Sequence, residues 1–114
     1  MTKKRARAAS LAKLRVLRAM LNDPDGQHYG LSLMRTTGVG AGSFYPTMLR
    51  LEDGNWVESE WEDVDESAVG RRRRRYYRLT DGGKRDARRL LADTVAELAP
   101  PDEAPGIERR WAPA

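Results

Sequence analysis

The chain has 114 residues, of which 39% are hydrophobic and 33% are charged, and its formal net charge is +4. A chain of this length has room for one domain around one modest core, and no apolar run comes near the roughly 20 residues that a membrane span needs. The lack of cysteine excludes disulfides, thiolate nucleophiles and thiolate metal sites.

Charge is segregated along the sequence. Residues 1–20 hold seven Lys or Arg and no acid, residues 52–66 hold eight Asp or Glu and no base, and residues 71–90 hold ten Lys or Arg against two acids. Basic surfaces of this kind suit a polyanion, while the acidic element has to face elsewhere. Charge alone leaves DNA, RNA and acidic lipid open as partners.

The first half of the chain predicts three helices. Leucines recur at three- and four-residue spacing over residues 10–21, as in an amphipathic helix. Proline and glycine in residues 22–26 favour a turn, after which a short helix fits residues 29–37. Because residues 38–42 are rich in glycine, the third helix is expected only over residues 43–53.

The second half predicts a hairpin and a last helix. Gly54 and Asn55 are able to take the left-handed conformation that closes a helix. Alternating patterns over residues 56–61 and 74–79 predict two strands, joined by a long polar loop that resembles a protruding wing. Thr80 is expected to cap the final helix.

These elements predict a fold that is mainly α with a small β-hairpin, namely a winged helix-turn-helix followed by one further helix. We expect a basic N-terminal arm at residues 1–9, the winged helix-turn-helix at residues 10–80, a dimerisation helix at residues 81–99 and a disordered tail at residues 100–114. The arm either tracks a DNA backbone or is idle, and no role is predicted for Trp111 in the tail.

Four motifs stand in a specific order. Residues 42–53 read GSFYPTMLRLED, Tyr29-Gly30-Leu31 lies upstream, Trp56-Val57-Glu58-Ser59 follows, and residues 70–80 read GRRRRRYYRLT. Over about residues 11–91 the chain thereby resembles the PadR family of transcriptional regulators. Asn55 and Arg72 stand where that family usually has glycine and proline. The resemblance implies DNA binding as a dimer, a single C-terminal helix and a place for Tyr45 at the DNA.

The predicted DNA contacts lie in the third helix and the wing, because a recognition helix brings its N-terminal part to the bases and guanidinium groups suit phosphates or a narrow minor groove. Alternatives stay open: Ser43 can cap its helix, Tyr45 can pack on the second helix, and Arg50 can be solvated. Strand alternation points one of Arg74 and Arg75 away from DNA. The predicted contacts are Ser43, Tyr45, Thr47, Arg50, Arg71, Arg72 and Arg73.

The acids near the wing are expected to line its far side or to pair with the arginines, since they would repel phosphate. A wholly solvated arginine loop that balances these acids is the alternative to a DNA contact.

The last helix carries an apolar stripe that one small domain cannot cover, so we expect a homodimer. A twofold dimer presents two recognition helices about one DNA turn apart, which predicts a palindromic operator. Members of the family that the chain resembles usually repress transcription, although the residues themselves do not distinguish a repressor from an activator. The predicted interface residues are Leu14, Leu17, Leu90, Leu91, Val95 and Leu98.

The predicted function is therefore a sequence-specific regulator of double-stranded DNA, cytoplasmic and nucleoid-associated, with no cofactor, no metal and no membrane. An enzyme is not expected, since His28 is the only histidine and no cysteine accompanies it. One alternative is a nonspecific RNA-binding or protein-interaction winged-helix adaptor. Another is a ligand-sensing regulator that holds an aromatic effector at its dimer interface, near Trp56, Trp61 or Trp111.

Overall fold

The computed structural model describes residues 9–101, so nearly all of the predicted arm and tail, including Trp111, lies outside the described residues. The fold is mostly helical with one small sheet, as the sequence predicts. Among residues 9–101 no helix combines the length and the apolar character that crossing a bilayer requires. In chain order the elements are α1 (Leu11–Leu21), β1 (His28–Tyr29), α2 (Gly30–Thr37), α3 (Ala41–Asp53), β2 (Val57–Trp61), α4 (Glu66–Val69), β3 (Arg75–Leu79) and α5 (Asp81–Leu98).

The first helix is capped and amphipathic. The Ser10 hydroxyl oxygen accepts a hydrogen bond from the Lys13 amide at 3.1 Å, which satisfies one of the free amides of the first turn. The apolar stripe of α1 buries Val16, Leu17 and Met20. Because Leu17 is fully buried in the core of its own chain, its predicted place in a dimer interface is wrong.

The turn between α2 and α3 is shorter than predicted. Gly38 ends α2 in the left-handed region, with φ at 75°, and α3 begins at Ala41. The expectation that residues 38–42 exclude a helix is therefore wrong for the last two. Val39 is buried just before α3 and anchors the chain there. Glycine in a helix costs only about 1 kcal/mol, which the burial of Phe44 one turn later offsets.

The three strands form one antiparallel sheet in the order β1-β3-β2. The predicted hairpin is confirmed, with Val57 opposite Leu79 and Trp61 opposite Arg75. Asn55 has φ at 63°, the left-handed conformation expected at the end of α3. The two residues of β1, which pair with β3, were not predicted because they are too few to show an alternating pattern.

The wing is the segment between β2 and β3, and it contains regular structure that its composition does not predict. The single turn of α4 begins where the Asp65 carboxylate accepts a hydrogen bond from the Ser67 amide at 3.0 Å. It ends at Gly70, whose φ is 74°. The predicted irregular loop is therefore folded around a capped turn.

The last helix is attached to the end of α3 through Thr80, which caps it as predicted. The Thr80 hydroxyl oxygen accepts a hydrogen bond from the Gly83 amide at 2.8 Å and donates to the Asn55 carbonyl at 2.7 Å. A Cβ atom at Gly83 would overlap the carbonyl group of Trp56, so glycine lets α5 approach the hairpin this closely. The core that these elements enclose is centred on Phe44, Leu17, Met20, Met48 and Val16.

Candidate nucleic-acid interface

The third helix has one buried face and one exposed face. Phe44, Thr47, Met48 and Leu51 are buried at the three- and four-residue spacing of a helix face. Thr47 is only 3% exposed, so its predicted contact with base edges is wrong: it lies on the core side of the helix. From Ser43 onward, the exposed residues of α3 are Ser43, Tyr45, Pro46, Leu49, Arg50 and Asp53.

Ser43 and Tyr45 lie in the N-terminal half of that exposed face. The Ser43 amide donates to the Gly40 carbonyl at 3.0 Å, so Ser43 belongs to the first turn and does not cap the helix. The Tyr45 ring packs edge-on against Phe44, with 5.1 Å between ring centroids, yet Tyr45 is 51% exposed. Both side chains are therefore accessible to a partner.

The acids of the wing pair with its arginines, which is one of the two arrangements expected from the sequence. Arg71 donates through Nη1 and Nη2 to the two carboxylate oxygens of Glu62, at 2.7 and 3.2 Å. The hydrogen bond from Arg71 lowers the pKa of Glu62, and the same contact raises the pKa of Arg71. Because Glu62 also accepts a hydrogen bond from the Arg74 amide at 2.7 Å, it anchors both ends of the wing.

Arg73 and Arg74 lie over aromatic rings. The Arg73 guanidinium is 5.6 Å from the centroid of the Trp61 ring, and the Arg74 guanidinium is 5.3 Å from that of Tyr29. Such stacking holds the cation against a ring face while its N–H groups stay available to an anion.

Arg75 is bound within the protein. Its Nη2 donates to Ser59 Oγ at 2.7 Å and lies 3.4 Å from both carboxylate oxygens of Glu52. Of the two arginines that strand alternation left in doubt, Arg75 is therefore the one engaged internally, and Arg74 is exposed.

A groove with a volume of about 650 Å³ separates the wing from α2 and α3, and we call it the wing groove. Of the predicted contact residues, Tyr45, Arg71, Arg72 and Arg73 line it, whereas Ser43 and Arg50 do not. Arg35 of α2 also lines it, and it was not predicted because a single arginine on a short helix makes no pattern. The aromatic residues of its wall are Tyr29, Tyr45, Trp61 and Tyr77.

The wing groove carries an excess of positive charge. Arg71, Arg73 and Arg75 have carboxylate partners. In the part of the chain that the structure describes, Arg35 and Arg72 form no ion pair, and neither does Arg74. Exposed guanidinium groups beside ring faces suit phosphate oxygens and stacked bases.

Residues 24–89 match the family model described as the transcriptional regulator PadR-like family. The chain belongs to the PadR-like family. Its members are transcriptional regulators and not enzymes. The match to PadR-like proteins includes α2, α3, the three strands, the wing and the first half of α5. It therefore includes every element that lines the wing groove. No curated protein matches the sequence significantly.

Solved structures share the fold of this PadR-like regulator at low sequence identity. The transcriptional regulator homologue from Pyrococcus horikoshii OT3 has a TM-score of 0.61 at 19% identity, over 75% of this chain and 78% of that one. The protein smu.1704 from Streptococcus mutans UA159 has a TM-score of 0.61 at 21% identity, over 76% and 78%. Reduced AbfR bound to DNA has a TM-score of 0.62 at 20% identity, and the match covers 83% of this chain but only 62% of AbfR.

Proposed function

We propose that this PadR-like regulator is a sequence-specific repressor that binds double-stranded DNA as a homodimer on a palindromic operator. The observation that carries the proposal is that Tyr45, on the exposed face of α3, lines the wing groove together with the wing arginines. In this arrangement α3 lies in the major groove and the wing reaches adjacent phosphates or the minor groove. Reduced AbfR, which shares the fold, has a structure bound to DNA. The protein would act on the nucleoid in the cytoplasm.

The contact residues divide into two groups. Ser43, Tyr45 and Arg50 project from α3 toward base edges or the phosphates beside them, and so carry sequence preference. Arg72 and Arg74 of the wing hold phosphates, which adds affinity for any sequence. Arg73 exchanges its exposed partner Glu66 for phosphate at little cost, since exposed ion pairs are worth only ~0–1 kcal/mol. Arg71 first has to leave Glu62, whose side chain is only 13% exposed.

A homodimer would cover the apolar stripe of α5. Leu91, Val95 and Leu98 share one face of the helix, and Val95 and Leu98 are largely exposed. Leu90 packs partly on the core of its own chain, and Leu14 of α1 is half-buried. Full burial of one Val or Leu stabilises an interface by about 1.5–3 kcal/mol. A second copy offers the same stripe, and the twofold axis then predicts a palindrome.

The test compares two duplexes of equal length at two salt concentrations: the DNA upstream of the protein's own coding sequence and an unrelated sequence. We expect the upstream duplex to bind at least ~100-fold more tightly, below the usual advantage of specific sites. Tyr45→Ala should reduce that preference, whereas Arg72→Ala should weaken both duplexes alike. Equal binding that is lost at the higher salt concentration would contradict sequence-specific recognition and favour the RNA-binding or adaptor function.

Repression is tested separately with a reporter gene behind the upstream DNA. Expression of the regulator should lower reporter output, and a change in either half of the palindrome should restore it. A rise in output would identify an activator.

A further inference from the structure

Leu49 occupies the middle of the exposed face of α3. It is 59% exposed and follows Tyr45 by one helical turn on the same side of the helix. Met48 and Leu51 on the other side fill the core. One exposed leucine is ordinary on a protein surface, so the position of Leu49 on the recognition surface is what makes it informative.

The exposed face of α3 is poor in the polar groups that read bases. Asn and Gln, which bind adenine through two hydrogen bonds, do not occur in α3. Arg50 is the only Lys or Arg of the helix, and so its only side chain suited to two hydrogen bonds with guanine. Asp53, in the last turn, carries the same charge sign as phosphate. Hydrogen bonds from α3 can therefore specify few positions of an operator.

Apolar side chains read a different feature of the major groove, the C5-methyl group of thymine. We propose that Leu49 reads thymine methyl groups, so that the operator carries thymine where this side chain enters the groove. The inference rests on the proposed DNA-binding function and adds the base and the residue that recognise each other. Leucine has no donor or acceptor for a phosphate, so its favourable contacts in DNA are with apolar atoms. Of these, the thymine methyl is the one in the major groove that depends on sequence.

Leu11 supplies a matched control. It is 62% exposed, close to the 59% of Leu49, but it lies at the start of α1, outside both the wing groove and the exposed face of α3. Truncation of either leucine removes the same atoms from a similarly exposed site. A difference between the two variants therefore reports position and not side-chain size.

The experiment begins by selecting an operator from random duplexes with the full-length protein. Each thymine of that operator is then replaced singly by deoxyuridine, which removes only the methyl group. For the wild type we expect about a fourfold loss of affinity at one or more thymines, which corresponds to the ~0.8 kcal/mol of one buried methylene-sized group. Leu49→Ala should bind the thymine and deoxyuridine duplexes equally at those positions, and Leu11→Ala should keep the wild-type loss.

Thermal unfolding of Leu49→Ala should match the wild type, since the residue is outside the core. Full wild-type affinity for every deoxyuridine duplex, or an undiminished loss in Leu49→Ala, would overturn the inference while leaving sequence-specific binding intact. Failure to enrich any sequence would instead remove the proposed function, and the inference with it.

Discussion

The guanidinium of Arg75 on β3 reaches the carboxylate of Glu52 on α3, with 3.4 Å between Nη2 and Oε2. Ser59 of β2 lies between them: its hydroxyl donates to Glu52 Oε2 at 2.6 Å, and its oxygen accepts a hydrogen bond from Arg75 Nη2 at 2.7 Å. The network thus joins α3 to both strands at the base of the wing. We expect it to fix the direction of the wing relative to α3, the proposed recognition helix.

Arg75→Gln should weaken recognition more than it weakens the fold. The ion pair with Glu52 is partly exposed and stabilises by ~0–1 kcal/mol, so the free energy of unfolding should change little. Binding to the operator should fall by about tenfold, equivalent to ~1.4 kcal/mol, because the wing loses its fixed direction. Fluorescence anisotropy on operator and unrelated duplexes, beside chemical denaturation, measures the two effects.

Arg72→Gln is the control, since it removes the same charge without touching Glu52. It should weaken operator and unrelated DNA to the same extent. Identical results for Arg75→Gln and Arg72→Gln on both duplexes would show that Arg75 acts only through its charge.

Glu62→Gln should strengthen DNA binding. The carboxylate of Glu62 holds the Arg71 guanidinium through two hydrogen bonds and adds negative charge beside the wing groove. Glutamine keeps an oxygen for the Arg74 amide but no longer pairs with a cation, so Arg71 becomes available to phosphate. We expect tighter binding and a steeper dependence on salt concentration in a titration by anisotropy.

Asp63→Asn removes the same charge from the neighbouring exposed residue and serves as its control. It should raise affinity less, because Asp63 forms no ion pair within residues 9–101. Weaker binding by Glu62→Gln would mean that the ion pair is needed to shape the wing and does not compete with phosphate.

Val95→Glu should convert the proposed dimer into a monomer. A charge buried in an apolar contact is strongly unfavourable, and Val95 lies in the middle of the exposed stripe of α5. Light scattering coupled to size-exclusion chromatography measures the mass directly. Ala96→Glu places the same charge on another side of the helix and should leave the dimer intact. A dimer that persists in Val95→Glu would place the interface elsewhere.

Gly83→Ala should destabilise the protein, because the new Cβ would overlap the carbonyl group of Trp56. Overpacking of this kind costs about 1–3 kcal/mol. At Gly82 the nearest atoms to a new Cβ are the Arg85 side chain at 3.5 Å and Thr80 Oγ1 at 4.0 Å, so Gly82→Ala should be tolerated or stabilising by about 0.4–1 kcal/mol. Denaturation midpoints of the two variants test the pair, and equal stabilities would contradict the close approach of α5.

Local chemistry predicts much of this fold. Asn55 and Thr80 behave as expected because the left-handed conformation and the helix cap depend on residue type within a few positions. The start of α3 is earlier than expected because burial of Val39 and Phe44 outweighs the poor helix propensity of glycine. The strand β1 exists through its pairing with β3, which lies far along the chain and leaves no local signal.

The candidate site was harder to predict. Thr47 follows Phe44 by three residues and precedes Leu51 by four, so its place on the buried stripe was present in the spacing and was missed. Which arginine is held by an acid depends on tertiary contacts: Arg71 pairs with Glu62 nine residues away, and Arg75 with Glu52 at a separation of 23. An arginine run by itself cannot reveal that difference.

The hydroxyl of Thr80 donates to the Asn55 carbonyl just after α3 and caps the start of α5. In the proposed dimer, this connection would hold α3 at a fixed distance from the twofold axis. The fold would then set the distance between the two copies of α3 in the dimer, and so the spacing of the two operator half-sites. One base pair inserted at the centre of an operator rotates one half by roughly 35° about the DNA axis. The DNA, and not the protein, would have to twist to bring the two half-sites back into register with the two copies of α3.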